Sequence, residues 1–370
     1  MLYGRLTKSA VRGAALAVIA IGGAVLATGC GAGDGPDGAS ETPQRLSGSA
    51  FGTFYEVRVA RLDGAGVPDE LHEAVEMALE RVDASMSSYR KDSEVQQLNR
   101  TPVDEWMSVS ESFFEVLQDS RRAHRRTRGA FDVTVGHLVD EWGFGPRGRV
   151  EHLPDDAWLE EAVSRVGLER LELDGQPPAA RRRADFAVDV SGIAKGHGIA
   201  EVGRVLDEHG IDHWLVNIGG DVAARGRPTA ERPWRVRVER PDGAMDDGTV
   251  IPLRDEAIAT SGDYRNWYER DGQRFTHIID PRTGRPVQHR LASVTVVHAS
   301  DRLANALATG LLVLGEAEAR EVIEDADLRA MLIARRDGGF ATYRSPALRA
   351  RLAASPQRSE GSAAGSGSRP

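Results

Sequence analysis

The sequence predicts an α+β fold, because stretches with the period of a strand and stretches with the period of a helix are mixed without a regular strand–helix–strand rhythm. Residues 51–59 alternate as a strand does, and Leu71, Val75 and Leu79 recur on one face of a helix. Residues 293–297 form a β-branched run that is typical of a strand. A regular βαβ alternation would have favoured a doubly wound parallel sheet.

The other predicted elements follow from caps and stop signals. Ser110 is predicted to cap one helix, and Asp301 is predicted to cap another that ends at Gly315. No internal repeat or composition shift divides the chain between residues 51 and 345, so residues 50–350 are predicted to form one domain. Further strands are predicted at residues 186–190, 213–218, 234–238, 257–260, 276–280, 331–334 and 340–343.

The stretch 189–198 is the centre of the predicted site. It places Gly192, Gly196 and Gly198 between an alternating run and a helical one, which predicts a strand, a glycine turn and a helix. The first amides of a helix have no internal partner, so such a turn can bind an anion, and Lys195 adds a positive charge. The glycine spacing fits neither the dinucleotide fingerprint nor the phosphate loop. A glycine-rich turn without a ligand therefore stays an alternative.

Composition indicates a globular protein that does not bind nucleic acid. Hydrophobic residues make up 41% of the chain and charged residues 28%, and the formal net charge is -9. Five arginines between residues 121 and 128 form a local basic run, but they follow a predicted helix, where cations suit the dipole of the helix end. The acidic balance argues against a nucleic-acid partner.

The amino terminus has the pattern of a secretion signal. Arg5, Lys8 and Arg12 precede an uncharged run over residues 13–29, and Cys30, the only cysteine of the chain, follows it. The tetrapeptide Ala27-Thr28-Gly29-Cys30 resembles the lipobox of bacterial lipoproteins. That resemblance implies that residues 1–29 are a signal peptide and that Cys30 is acylated. The alternative is an uncleaved anchor with an incidental cysteine.

This reading predicts an exported protein that is lipid-anchored at the cell membrane and faces the periplasm or the cell exterior. Residues 30–49 are rich in Gly, Asp, Ser and Pro and are predicted to be a flexible tether. Residues 351–370 are predicted to be a disordered tail for the same reason.

Six segments taken together are similar to the ApbE family, the FAD:protein FMN transferases. The resemblance implies an α+β fold related to the T-fold, with mixed sheets and packed helices. It implies FAD as the donor substrate, magnesium as cofactor, and transfer of FMN through a phosphoester to a Ser or Thr of an acceptor protein with release of AMP. The matching segments, in the family's order, are residues 86–100, 129–145, 189–198, 217–221, 277–286 and 293–315.

The resemblance also assigns a magnesium site. Its ligands would be the carbonyl oxygens of Gly192 and Ala308 and the side chains of Asn305 and Thr309. Spacing i, i+4 puts Asn305 and Thr309 on one helix face. The commoner family pattern has an aspartate where Asn305 stands, so weaker metal affinity is expected here. Without the resemblance, both would be read as ordinary polar helix residues.

Residues that match the family's FAD contacts are spread along the chain. Tyr89 is predicted to stack on a ring of the ligand, and Phe51 stands where the family often has methionine. Lys195 has two possible partners, a phosphate of FAD or the carboxylate of Asp189. Asp263 and Tyr264 are further candidates for contact with the ligand. The matched positions are Phe51, Tyr89, Ala130, Phe131, Asp132, Asp189, Lys195 and Ala292.

His277 is the predicted catalytic base. A neutral imidazole can accept a proton from an incoming hydroxyl near neutral pH, and His277 begins the family-like sequence His-Ile-Ile-Asp-Pro-Arg-Thr-Gly. Asp280 is predicted either to orient His277 or to shape the turn that follows. A histidine with only a structural role is the alternative.

Two other functions stay open at this point. In the first, water replaces the acceptor hydroxyl and the protein is a magnesium-dependent FAD pyrophosphatase that yields FMN and AMP. In the second, the protein is a lipoprotein that binds FAD without turning it over, an alternative that the asparagine at position 305 keeps open.

Overall fold

The structure is a computed structural model that describes residues 43–60, 66–243 and 249–354. The predicted signal peptide, Cys30 and most of the predicted tether lie outside the described residues, as does the tail from residue 355. Within the described ranges, no helix combines the length and apolar character that crossing a bilayer requires.

Within these ranges the main architectural feature is an eight-stranded antiparallel sheet, in the order β1-β2-β6-β7-β10-β15-β16-β17. Smaller ladders join β3, β4 and β5, β8 and β9, β11 and β12, and β13 and β14. The strands are β1 Gln44–Ala50, β2 Thr53–Val59, β3 Met107–Ser108, β4 Leu171–Gly175, β5 Pro178–Arg182, β6 Trp214–Ile218, β7 Asp221–Arg225, β8 Trp234–Arg237, β9 Val250–Leu253, β10 Glu256–Gly262, β11 Trp267–Arg270, β12 Gln273–Thr276, β13 Ile279–Asp280, β14 Arg285–Pro286, β15 Leu291–His298, β16 Arg329–Arg336 and β17 Gly339–Arg344.

Helices cover one face of the large sheet. The longest, α6 and α7, pack against each other, and α7 also lies on β10 and β15. The helices are α1 Leu71–Met86, α2 Glu94–Arg100, α3 Glu111–Arg126, α4 Gly136–Glu141, α5 Asp156–Arg165, α6 Ser191–Glu208, α7 Asp301–Asp325 and α8 Pro346–Ala354.

Alternation along the strands produces two cores. Val294 and Val296 on β15 face the helices and join the larger hydrophobic cluster, whereas Val297 joins a second cluster on the opposite face. There, Trp234 of β8 and Leu348 of α8 cover the sheet. Because successive side chains of a strand point to opposite faces, one β-branched run supplies both cores. The predicted α+β class is confirmed.

The boundary predicted for the tether is wrong over its last residues. Residues 44–49 belong to β1, which pairs along its whole length with β2 from Gln44↔Val59 to Ala50↔Thr53. The composition of this stretch gives little sign of a strand, because it lies at the sheet edge and its side chains are exposed or only partly buried. At the other end, α8 continues to Ala354, past the predicted domain end at residue 350.

The predicted glycine turn at residues 189–198 is also wrong. No strand forms at residues 186–190, and α6 begins at Ser191, so Gly192, Gly196 and Gly198 all lie inside the helix. A Cβ at Gly196 would lie 2.4 Å from the carbonyl oxygen of Asp301. The glycines therefore allow close packing of α6 against its neighbours and do not form a loop.

Two helix boundaries test the predicted caps. The cap at Ser110 is confirmed, because its Oγ accepts from the backbone N–H of Phe113 at 3.1 Å. For α7 the cap is Ser300 and not Asp301. Gly315 interrupts the helical angles with φ 76°, as expected of a stop signal, but the helix resumes beyond it to Asp325.

Candidate active site

The residues of the predicted metal site meet where the first turn of α6 lies against the middle of α7. A Cβ on Gly192 would lie 3.0 Å from the ring of Phe131 and 3.6 Å from Thr309 Oγ1. The missing side chain therefore leaves the backbone of Gly192 close to the Thr309 hydroxyl. Residues 117 positions apart in the chain are brought together at this crossing of helices.

Side chains on α7 present oxygen atoms at the same place. Asn305 is buried, and its Oδ1 accepts from the backbone N–H of Gly196 at 3.3 Å. Thr309 donates its hydroxyl to the backbone carbonyl of Asn305 at 3.2 Å and lies 3.0 Å from Ser261 Oγ. Ser261, near the end of β10, was not among the predicted site residues. Its position two residues before Asp263 was the signal in the sequence.

The four donor atoms are oxygens, which a hard divalent cation prefers, but none of them carries a negative charge. Two backbone carbonyls, at Gly192 and Ala308, an amide at Asn305 and a hydroxyl at Thr309 are all oxygen donors, which magnesium prefers. None of the four is a carboxylate. In the part of the chain that the structure describes, no group of three or more His, Cys, Asp or Glu residues is arranged to hold a metal ion.

Lys195 has a partner that the sequence did not predict. Its Nζ lies 2.8 Å from Oδ2 of Asp221, whose other carboxylate oxygen accepts from the backbone N–H of Thr260 at 3.0 Å. Asp189 instead accepts from the backbone N–H of Ser191 at 2.8 Å, at the start of α6. The alternative of a Lys195–Asp189 ion pair is therefore wrong, and Lys195 is held between α6 and β7.

His277 is held in one tautomer by its neighbours. Its Nδ1 lies 3.0 Å from the carbonyl oxygen of Asn266, which can only accept, so Nδ1 carries the proton and Nε2 is left as an acceptor. Burial lowers the pKa of His277, and the positive charge of Lys195 lowers it further, although the hydrogen bond to Asn266 opposes these effects. The ring is therefore neutral at pH 7 and able to accept a proton.

The ring of Phe144 contacts His277, and two tyrosines contact Phe144. Phe144 meets His277 edge-on at 6.3 Å between ring centroids and lies 5.3 Å from Tyr268. The hydroxyl of Tyr89 donates to the backbone carbonyl of Phe144 at 3.2 Å, and 70% of the Tyr89 surface is exposed. Because most of its surface is exposed, the ring of Tyr89 can stack on a flat ligand that binds beside His277. Phe144 lay within a segment matched to the family but was not singled out from the sequence.

Asp280 shapes a turn and does not orient His277. Its carboxylate accepts from the backbone N–H of Arg282 at 2.8 Å and pairs with the Arg282 guanidinium at 2.9 Å. Arg282 also contacts Glu318 on α7 at 2.8 Å. Of the two predicted roles for Asp280, these contacts support the structural one.

In the loop before α4, Phe131 lies against Gly192 of the site, whereas the Asp132 carboxylate bonds to other parts of the protein. The Asp132 carboxylate accepts from the backbone N–H of Thr134 at 2.8 Å, from the Thr134 hydroxyl at 2.6 Å and from the backbone N–H of Leu168 at 3.1 Å. Its side chain is thus fully engaged within the protein. Ala130 is buried next to it.

Two other predicted FAD contacts lie on strands or strand ends. Phe51, with φ 53°, packs on α6, where a Cβ on Gly198 would lie 2.6 Å from its ring. Ala292 is buried on β15, and its carbonyl accepts from the backbone N–H of Asp263 at 3.1 Å. The Asp263 carboxylate makes two bonds of 2.6 Å to Arg335, so it is already neutralised.

Comparison with known proteins agrees with this geometry. The model of the ApbE family matches residues 51–332. The FAD:protein FMN transferase of Haemophilus influenzae is 40% identical over 313 residues, covering 82% of this chain and 90% of that protein. The transferase of the same name from Vibrio cholerae is 40% identical over 303 residues, covering 81% and 90%.

Solved structures give the same result. The flavin transferase ApbE from Vibrio cholerae superposes with a TM-score of 0.76 at 38% identity and covers 83% of this chain and 98% of that one. The apo form of the flavinyl transferase ApbE from Pseudomonas stutzeri gives a TM-score of 0.78 at 32% identity, covering 85% and 98%.

Proposed function

The chain belongs to the ApbE family, and on that premise we propose that it transfers the FMN half of FAD to a Ser or Thr hydroxyl of another protein, with Mg²⁺ as cofactor and AMP as the leaving group. The observation that carries the proposal is His277, an imidazole whose Nδ1 is bonded to Asn266, which leaves Nε2 as an acceptor, beside the ring of Phe144. Relatives named FAD:protein FMN transferase support the flavin transfer itself.

The reaction exchanges one phosphorus–oxygen bond for another. The acceptor hydroxyl oxygen bonds to the phosphorus of the FMN half while the bond from that phosphorus to the bridging oxygen breaks, and AMP leaves with the electron pair. His277 Nε2 takes the hydroxyl proton. Catalysis of this kind depends on position and electrostatics more than on covalent chemistry by the protein.

The other residues bind and orient the ligand. Gly192, Asn305, Ala308 and Thr309 would hold the magnesium ion, which when bound neutralises negative charge on the diphosphate. Lys195, fixed by Asp221, adds a second positive charge close enough to His277 to lower its pKa.

The experiment that tests this function is incubation of the purified protein with FAD and Mg²⁺, with and without a candidate acceptor. Covalent flavin on the acceptor, with one AMP released per flavin, is the expected result. Release of FMN and AMP without acceptor would identify a pyrophosphatase. Recovery of intact FAD in both incubations would identify a binding protein.

We also propose that Cys30 is acylated and tethers the domain to the cell membrane, on the lipobox-like sequence that precedes it. The test is Cys30→Ser in the producing cell. The variant is expected to lose the lipid mass and its place in the membrane fraction. A variant that is processed and fractionates as the parent does would contradict the proposal.

A further inference from the structure

The four oxygen donors between α6 and α7 carry no negative charge. Magnesium gives up its hydration water reluctantly, and proteins usually bind it through one or two carboxylates together with the phosphates of a substrate. Here the side chain at position 305 is an amide, so these four groups offer the ion only neutral oxygens. The affinity of the free protein for the ion therefore depends on any other acidic group nearby.

The nearby carboxylates are already committed to other partners. Asp221 pairs with Lys195 at 2.8 Å, and Asp263 makes two bonds to Arg335. Asp189 accepts from the first N–H of α6 at 2.8 Å. The charges of Asp221 and Asp263 are therefore already balanced by Lys195 and Arg335, whereas the partner of Asp189 is a neutral N–H.

The acidic residue next to the site on α7 is Asp301, one helical turn before Asn305. Side chains of a helix lean toward its amino terminus. The general lean of helical side chains therefore carries the Asp301 side chain toward the start of α7, away from Thr309. Asp301 is not one of the four donors.

The amide of Asn305 is fixed in orientation. Its Oδ1 accepts from the Gly196 N–H at 3.3 Å, and only 2% of its surface is exposed. A carbonyl oxygen has two lone pairs, so Oδ1 retains one for a cation. The other terminal atom, Nδ2, is a donor and repels a cation, whereas an aspartate would present a second anionic oxygen there.

We propose that the divalent ion does not reside in the free protein and enters together with FAD, whose diphosphate supplies the negative charge that these four donors lack. The inference rests on the proposed function only in taking FAD as the ligand and Mg²⁺ as its ion. Since coupling between two ligands is reciprocal, FAD must raise the affinity for the ion by the same factor by which the ion raises the affinity for FAD.

The first test measures metal binding without FAD. Mn²⁺, which takes the same oxygen ligands and has an electron paramagnetic resonance signal when free in solution, is titrated into the purified full chain. The wild-type protein is expected to leave Mn²⁺ free until concentrations on the order of millimolar. Stoichiometric binding at micromolar Mn²⁺ would overturn the proposal.

The second test measures FAD binding by calorimetry with and without millimolar Mg²⁺. The wild-type affinity for FAD is expected to rise at least about tenfold with Mg²⁺. Asn305→Ala is expected to lose most of this increase. An affinity for wild type that does not change with Mg²⁺ would also overturn the proposal.

Asn305→Asp provides the sharpest comparison. It keeps the size of the side chain and the acceptor for Gly196, and it adds one negative charge at the site. It is expected to bind Mn²⁺ at least about tenfold more tightly than wild type in the absence of FAD. Unchanged Mn²⁺ binding in a variant that unfolds at the wild-type temperature would show that position 305 does not face the ion.

Gln97→Glu is the matched control, since it adds the same charge on the exposed surface of α2. Its Mn²⁺ binding is expected to equal that of wild type, and an increase as large as that of Asn305→Asp would attribute the effect to net charge and overturn the proposal.

None of these measurements uses an acceptor. A protein that binds the two ligands together but does not flavinylate an acceptor would refute the proposed function and leave this inference intact.

Discussion

At the scale of single residues, His277 is defined by what its two nitrogens do. Nδ1 is committed to the carbonyl of Asn266 at 3.0 Å, which leaves Nε2 to receive a proton. The sequence predicted His277 as the catalytic base and Asp280 as a possible partner that orients it. It could not show that a backbone carbonyl takes this role, because carbonyls are present at every position and leave no mark in the sequence.

Replacing His277 with Ala is expected to remove the proton acceptor while the FAD contacts stay in place. Transfer to an acceptor should fall roughly 100-fold or more, the usual contribution of general base catalysis, with FAD affinity nearly unchanged. Single-turnover transfer and calorimetry check the two parts. His152→Ala, on an exposed residue, is the control, and transfer at the parental rate in His277→Ala would refute the assignment.

The pH dependence of transfer should reflect the lowered pKa of His277. Burial and the charge of Lys195 both favour the neutral ring, so the rate is expected to fall only below the ordinary histidine range near 6.5. In Lys195→Met one of these effects is lost, and the acid limb should move to higher pH. The measurement is the rate at saturating FAD against pH, and a shift to lower pH would contradict the account.

At the scale of elements, the crossing of α6 and α7 builds the site. Gly196 lies against the backbone of Asp301, and the two residues are more than a hundred positions apart. A local reading of the sequence assigned the glycines to a turn because glycine weakens isolated helices. Their partners could not be identified from the sequence, since close packing of helices depends on tertiary contacts.

Gly196→Ala should separate these two helices. Its Cβ would lie 2.4 Å from the Asp301 carbonyl oxygen, so α6 or α7 must move. Overpacking of this kind typically costs about 1–3 kcal/mol of folding free energy, and the movement should also weaken binding of FAD with Mg²⁺. Thermal unfolding and calorimetry measure both effects.

Gly339→Ala is the control for this variant, because a Cβ there would meet nothing within 4 Å. It should leave the unfolding temperature and the affinity for FAD close to those of wild type. If Gly196→Ala behaved in the same way, the crossing would be looser than the structure shows.

His197, on α6, contacts both α3 and α7. Ser112 Oγ on α3 lies 2.7 Å from its Nε2, and Arg302 on α7 lies 3.3 Å from its Nδ1 and pairs with Asp119. Burial, and after it the positive charge of Arg302, lowers the pKa of His197 from its ordinary 6.5 to about 4. The folded protein therefore keeps this ring neutral where the unfolded chain would protonate it.

This difference should make folding stability depend on pH. The folded state binds this proton less readily than the unfolded chain. The contribution of His197 to the free energy of unfolding is therefore fully present above pH 6.5 and is lost as the pH falls toward about 4. In His197→Gln, the loss of unfolding temperature between about pH 7.5 and about pH 5 should be smaller than in wild type. His152→Gln should keep the wild-type dependence, and an equal dependence in all three proteins would contradict the assignment.

At the scale of the whole molecule, the α+β class and the central strands were predictable, because the β-branched and apolar runs at residues 293–297 and 331–334 are typical of strands that are buried on both faces. The edge strand β1 was not, because half of its residues face solvent and its composition resembles that of a linker. The ion pair of Lys195 with Asp221 was missed because it joins two distant elements. Resemblance to a family supplied the predicted site residues, and the structure showed which of them use their side chains for contacts within the protein.

The central claim is that the diphosphate of FAD lies between α6 and α7, beside His277. A crystal structure of the protein with FAD and Mn²⁺, with the ion located by its anomalous scattering, tests it most directly. The account predicts the ion in contact with the Gly192 carbonyl, Asn305 and Thr309 and with the diphosphate. An ion or a diphosphate bound elsewhere would contradict it.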